Sequence, residues 1–186
     1  MLKDVVAGNR IFAIVAEREN LAPGEEIDEP PFEVATAGVI RVSKQNEDGT
    51  SFVLLQGVER LRVRKIVQET PYRILKVEPW ETVVDGETDS IRKSLLTEMK
   101  TNKELGGEVT DEVLDYLRPL DDVVAFVDLA AFTLCKQVVR KQAMLEVQKI
   151  SKRAQMLIDD LRSANKELQL YKDLLGDQPD SGSTRN

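Results

Sequence analysis

The sequence predicts an α+β protein: an antiparallel β lobe over residues 1–80, a helical lobe over 81–175, and a disordered tail over 176–186. Three observations carry that reading. Between residues 10 and 80 short apolar runs and period-two alternation are punctuated by Gly, Pro, Asn and Asp. From Thr88 the apolar spacing becomes helical. The closing stretch GDQPDSGSTRN is polar and rich in turn residues, with nothing to bury.

Taken in order, Arg10–Ala16 reads as a buried strand, being a short apolar run without alternation. A loop rich in Glu and Pro follows, with Pro23-Gly24 and Pro30-Pro31 removing amide donors. Gly38–Val42 and Ser51–Gln56 flank Asn46-Glu47-Asp48-Gly49, a turn in which Gly49 accepts positive φ cheaply, and they read as a hairpin. Gly57 is expected to interrupt before Val58–Val67. There Leu61 and Val63 alternate with Arg60, Arg62 and Arg64, which puts the apolar pair and the arginines on opposite faces. Tyr72–Trp80 alternates again, but less cleanly, and its orientation stays open. Strands joined by short turns, without intervening helices, imply a mostly antiparallel sheet or a partly closed barrel.

In the helical half, Ile91, Leu95, Leu96 and Met99 form one stripe that Gly106-Gly107 ends. Thr110 caps a short helix that closes before Pro119. Asp121 or Asp122 caps a third helix running through Cys135, crowded with apolar residues and expected to be the most buried. Arg140–Gln148 reads as a fourth helix, and Ser151 as the cap of a last long one. In that last helix Ile150, Ala154, Leu157, Leu161, Ala164, Leu168, Tyr171 and Leu175 are spaced alternately four and three apart. The repeat is that of a coiled-coil seam. Its first half has the protein's own helices to pack on. Ala164, Leu168, Tyr171 and Leu175 have little remaining sequence to cover them and are the expected surface for self-association or a partner.

Composition excludes much chemistry. At 186 residues the chain is about 1.2 times a usual domain, so one domain or two small lobes is the prior. Lys plus Arg is 26 and Asp plus Glu is 33, giving −7, a poor balance for gripping DNA phosphates. There is no histidine, which removes His-dependent acid–base and triad catalysis and most zinc sites. The single cysteine, Cys135, permits no internal disulfide, suits a reducing cytoplasm, and reads as a small buried hydrophobe. The longest uninterrupted apolar run is Ile11–Ala16, far short of a membrane span. Neither G-x-x-x-x-G-K-[ST] nor G-x-G-x-x-G occurs, so no phosphate cradle and no cofactor is expected. No D-x-D-x-D-G spacing surrounds Asp48 or Asp121-Asp122, which read as turn and cap residues rather than metal ligands. Ser94, Ser151 and Ser163 lie in or at the starts of solvated helices, with no oxyanion pocket in view. The Arg60/Arg62/Arg64 row reads either as an anion or acidic-peptide patch or as a solvated face paired with Glu47, Glu59 and Glu69. Trp80, where strands give way to helices, reads as packing between lobes or as a ligand platform.

Gly38-Val39-Ile40-Arg41-Val42, Glu47-Asp48-Gly49-Thr50, the stretch Leu54–Val63 with Gly57 and Arg60, and Pro71-Tyr72 together resemble the N-terminal domain of Lon proteases. Lys141-Gln142-Ala143-Met144-Leu145-Glu146, then Arg153 and Leu157, resemble its helical half, so the likeness covers roughly residues 10–165. It implies a PUA-like β lobe, a pseudo-barrel, followed by a helical bundle ending in a long helix. In Lon proteases this module captures substrate and helps hold the hexamer. The ATPase and serine–lysine protease modules are absent from these residues, so the resemblance implies binding without proteolysis, in a stand-alone cytoplasmic protein. One departure stands out. The family begins with a further strand and an F-P-G turn, whereas Met1–Val6 resembles the helix after them. A start assigned too late, or a lost segment, is therefore expected to leave a sheet edge and apolar surface uncovered. Sequencing the native N-terminus distinguishes the two.

The function expected is a protein-binding module for unfolded clients or for a chaperone or protease partner, acting by strand addition or groove capture. The contact residues implied are Phe32, with the Pro23–Phe32 loop, Arg60, Arg62, Arg64, Tyr72 and Trp80. The alternatives are RNA binding through the arginine row and a structural assembly subunit. Neither DNA nor a membrane is an expected partner.

Overall fold

The computed structural model describes residues 1–18 and 30–176. The chain divides into two compact units, Met1–Glu81 and Thr82–Asn186. The Pro23–Phe32 loop, apart from its last residues, and the tail beyond Gly176 lie outside the described residues.

The first unit opens with helix α1 (Leu2–Ala7), then strands β1 (Ile11–Ile14), β2 (Val34–Gln45), β3 (Ser51–Gln68) and β4 (Ile74–Pro79). They form one antiparallel sheet in the order β1-β2-β3-β4. The turn between β2 and β3 closes as its residues dictate. Gly49 takes φ +86, its amide donates to the Asn46 carbonyl at 3.2 Å, and the Thr50 amide donates to Asp48 Oδ1 at 2.9 Å. The Thr50 hydroxyl and amide hold the Asp48 carboxyl below its ordinary range.

Two expectations are corrected here. Gly57 does not interrupt: β3 runs through it, with Gly57 opposite Gly38 and Val58 left as the extra residue of a bulge. The strand continues through the facing glycines, and the bulge absorbs the irregularity. Arg10–Ala16 is not fully buried, because only Ile11–Ile14 pairs, at the edge of the sheet, and both of those residues are exposed.

The second unit holds α2 (Thr88–Glu104), α3 (Asp111–Leu117), α4 (Val123–Leu134), α5 (Val138–Glu146) and α6 (Ile150–Gly176). Gly106 at φ +76 ends α2, and the Thr110 and Asp122 side chains accept from Val113 N and Val124 N to cap α3 and α4. α5 starts at Val138, two residues earlier than expected, and Arg140 ties it to α6 through both Asp160 oxygens at 2.9 and 2.8 Å. The core gathers Leu95 and Met99 of α2, Leu114 and Leu117 of α3, Phe126, Val127 and Ala130 of α4, and Ile150, Ala154, Leu157, Ile158 and Leu161 of α6. α4 is not buried all round. Phe126, Val127, Ala130 and Ala131 face inward, while Phe132, on the opposite side, is 71 % exposed with the Lys141 ammonium 4.7 Å above its ring.

Ser151 does not cap α6 by itself. Asp85, 66 positions earlier, accepts from the Ser151 amide at 3.0 Å and from its hydroxyl at 2.8 Å. The helix thus takes its anionic cap from a distant segment, which sequence spacing cannot reveal. The two Ser151 hydrogen bonds, with Lys149 nearby, hold the Asp85 carboxyl below its ordinary range. A depressed carboxyl stabilises the fold above its unfolded pKa, and that contribution disappears as pH falls through the lower folded value. Asp85→Asn is expected to lower Tm at pH 7, with the gap to wild type closing as melts are repeated from pH 5 down to about 3.

Candidate functional site

Cross-strand partners share a face, so the register sorts the side chains of the sheet. Ala35, Ala37 and Val39 of β2 stand with Ile11 and Ala13 of β1 and with Leu61 of β3. Leu61 faces Pro79, Val63 faces Val77, and Ile66 faces Leu75, which continues the same face across β4. The open orientation of β4 is thereby settled: its apolar residues Leu75, Val77 and Pro79 join Leu61 and Val63. Toward the hairpin end the face carries Val42 opposite Leu54 and Lys44 opposite Phe52. This apolar face is incompletely covered. Ala35 and Ala37 are buried, but Val42 is 48 %, Leu54 50 % and Phe52 61 % exposed, and Ile11 and Val77 also reach solvent. Exposed apolar surface on that scale marks a contact surface more often than a resting one.

The opposite face buries Val34 and Ile40 on β2 and is cationic toward β3 and β4. Arg62 sits opposite Glu78, its guanidinium lies 5.0 Å from the Trp80 ring centroid, and it reaches Glu33 at 3.5 Å. Arg64, the extra residue of a second bulge, pairs with Glu78; that bond pulls the Glu78 carboxyl down and the Arg64 guanidinium up. Arg60 is half-buried, and its carbonyl accepts the Trp80 amide at 2.8 Å. Arg62 and Arg64 therefore pair with Glu33 and Glu78, rather than with Glu47, Glu59 or Glu69. Glu33 comes from the start of β2 and Glu78 from the pairing of β4, and neither neighbour is visible in local spacing. Tyr72 is half-buried, its carbonyl accepting from Gln68 Nε2 at 3.2 Å. Phe32 is half-buried, its amide donating to the Ala16 carbonyl at 2.9 Å. The structure thus brings Arg60, Arg62, Arg64 and Trp80 onto one face, while Phe32 stands just before β2 and Tyr72 just before β4. Lys65, which extends the arginine row in the sequence, stands directly opposite Lys76 on that face, a pairing that local spacing does not reveal.

In the second unit the α6 seam divides as its spacing predicts. Ile150, Ala154, Leu157 and Leu161 are buried, Ala164 and Leu168 half-buried, and Tyr171 and Leu175 exposed. Beside the half-covered stretch runs a groove of about 460 Å³ lined by Val109, Leu134, Cys135, Leu161, Leu168 and Tyr171, among others. Among the described residues no cluster of three or more carboxylate or thiol groups could hold a metal, and no helix is long and apolar enough to cross a membrane.

The comparisons with known proteins agree with this architecture. The chain is 27 % identical over 177 residues to the Lon protease of Anaeromyxobacter dehalogenans, covering 91 % of this chain and 20 % of that one. It is 23 % identical over 170 residues to the Lon protease of Brevibacillus choshinensis, covering 90 % of this chain and 22 % of that one. It thus spans about a fifth of the length of these curated relatives. Among solved structures, a Lon N-terminal domain protein from Xanthomonas campestris superposes with TM-score 0.55 at 16 % identity, covering 85 % of this chain and 80 % of that one. The N-terminal domain of a Mycobacterium avium complex Lon protease gives 0.53 at 18 % identity, with 82 % and 89 % covered; both likenesses are of fold. The family model of the ATP-dependent protease La (LON) substrate-binding domain matches residues 1–163, and the chain belongs to that family.

Proposed function

We propose that these residues form a non-catalytic binding module that recognises unfolded client polypeptides, or a chaperone or protease partner presenting a similar segment, in the cytoplasm. The observation that carries this reading is the apolar sheet face, with Val42, Phe52 and Leu54 about half exposed or more, in a chain whose family is a substrate-binding domain. Such a face holds an extended apolar segment by surface burial and backbone pairing, at modest affinity and without nucleotide. Trp80 and the Arg62 stacked on it form the amphipathic flank of the sheet, and Phe32 and Tyr72 are its outlying aromatic contacts. RNA binding draws less support, since Arg62 and Arg64 already meet Glu33 and Glu78.

The test is titration of the full chain with a reduced, alkylated and permanently unfolded protein, followed by fluorescence anisotropy. Wild type is expected to bind, and the double change Phe52→Ser, Leu54→Ser to weaken binding about tenfold or more, given roughly 2 kcal/mol per lost apolar side chain. Trp80→Ala should weaken it by a smaller factor. Equal affinity in all three would sink the reading. The exposed end of α6, with Leu168, Tyr171 and Leu175 continuing the seam past Ala164, is the proposed surface for self-association. One monomeric species in sedimentation at high concentration would remove that part.

A further inference from the structure

We infer that the outer edge of β4 takes up the client as an added strand, and that the client segment it fits alternates apolar with acidic residues. This rests on the proposed binding role and names the substrate class for it.

The backbone sets the place. The Trp80 amide donates to the Arg60 carbonyl at 2.8 Å, so residue 80 aims its peptide groups at β3. Antiparallel alternation then aims residues 74, 76 and 78 inward as well, and leaves those of Leu75, Val77 and Pro79 on the outer edge. Among the described residues no strand pairs with that edge. Pro79 has no amide hydrogen and closes the receptive stretch, so Leu75 and Val77 supply its donors and acceptors.

Side chains set the chemistry. Leu75 and Val77 lie on the apolar face, and Val77 is 36 % exposed, so residues of an added strand that fall beside them are matched by apolar groups. The residues between fall beside Lys76, on the other face. There Lys65 stands directly opposite Lys76, a like-charge pair that costs stability when left alone. Among the described residues neither lysine has an ion pair within 4.0 Å, and Glu78, the nearest carboxylate along β4, is held by Arg64. A carboxylate arriving on the neighbouring strand relieves both lysines. The preference is the opposite of what the net charge of −7 would produce, which makes it diagnostic.

The test uses the full chain in about 0.15 M salt and fluorescein-labelled decapeptides alternating Val with Glu or Val with Lys. The Val–Glu peptide is expected to bind about tenfold tighter than the Val–Lys peptide, the scale of two exposed ion pairs gained against two like-charge contacts. N-methylation of its alternate amides should abolish binding in one register. Lys76→Glu, an exposed position outside the core, should reverse the order of the two peptides. Val77→Pro, which removes an outward amide, should lower affinity for both peptides while a thermal melt confirms folding; if it unfolds, Lys76→Glu decides. Equal affinity for the two peptides, or an order unchanged by Lys76→Glu, overturns the inference. If the unfolded protein still binds in that case, the general binding role stands without this edge; if that binding is also absent, the role itself fails.

Discussion

Asp128→Ala is expected to destabilise the helical unit by about 3 kcal/mol, the lower end of the cost of stranding a buried charge, because Asp128 is itself 43 % exposed. Its partner Arg153, on α6, is only 2 % exposed and is the largest fully buried side chain among the described residues. Arg153 donates to Asp128 on α4 and, at 2.8 Å, to the Val147 carbonyl that ends α5, while its Nε has no partner among the described groups. One guanidinium therefore ties three helices, and removing the carboxylate leaves a cation in the core with one carbonyl for company. For a chain of this length the loss corresponds to a fall in Tm of roughly 6–12 °C, read by calorimetry. Arg153→Met should cost less, because it removes the buried charge and keeps most of the volume. The pair Asp128→Leu with Arg153→Met should recover most of the loss. A double variant as unstable as Asp128→Ala would show that packing around the guanidinium stem, not its charge, carries the effect.

The second large effect centres on Asn102, 4 % exposed on α2. Its Nδ2 donates to Asn165 Oδ1 at 2.9 Å and its Oδ1 accepts the Val109 amide at 3.1 Å, while Asn165 donates to the Glu98 carbonyl at 3.1 Å. The network joins α2, α6 and the turn before α3 and is closed at each amide, which is the condition under which a buried polar cluster holds helices in one register. Asn102→Ala strands Asn165 Oδ1 and the Val109 amide, at roughly 1–3 kcal/mol each. Gly107→Ala should be comparably damaging for a different reason. A Cβ there would overlap the Asn102 side-chain amide, so that side chain must leave its bonds. Urea melts of both variants check this, and a Gly107→Ala change of under about 0.5 kcal/mol would mean the amide relocates freely.

Much of the architecture was legible because local forces govern it. Gly106, Thr110 and Asp122 act at helix ends, within one turn of where their residue types are expected. The α6 seam shows its own transition from buried to exposed between Leu161 and Tyr171, because spacing alone defines which face can pack. The candidate site was legible only by half. The alternation Arg60 to Arg64 was sound, yet the partners Glu33 and Glu78 arrive through strand pairing across tens of residues. The clean apolar face of β4 was hidden because a bulge at Arg64 and another beyond it shift the register against β3.

Residue order by itself determined which segments are strands and which are helices, where most of them stop, and which catalytic chemistries lack their side chains. Those properties depend on neighbours within a turn or a hairpin. Only the tertiary structure decided that Asp85 caps α6, that Gly107 must be small, that Arg153 is buried, and that Lys65 meets Lys76 across β3 and β4. Each joins groups remote along the chain or placed by strand register, and no local periodicity encodes which distant backbone will arrive beside a given side chain.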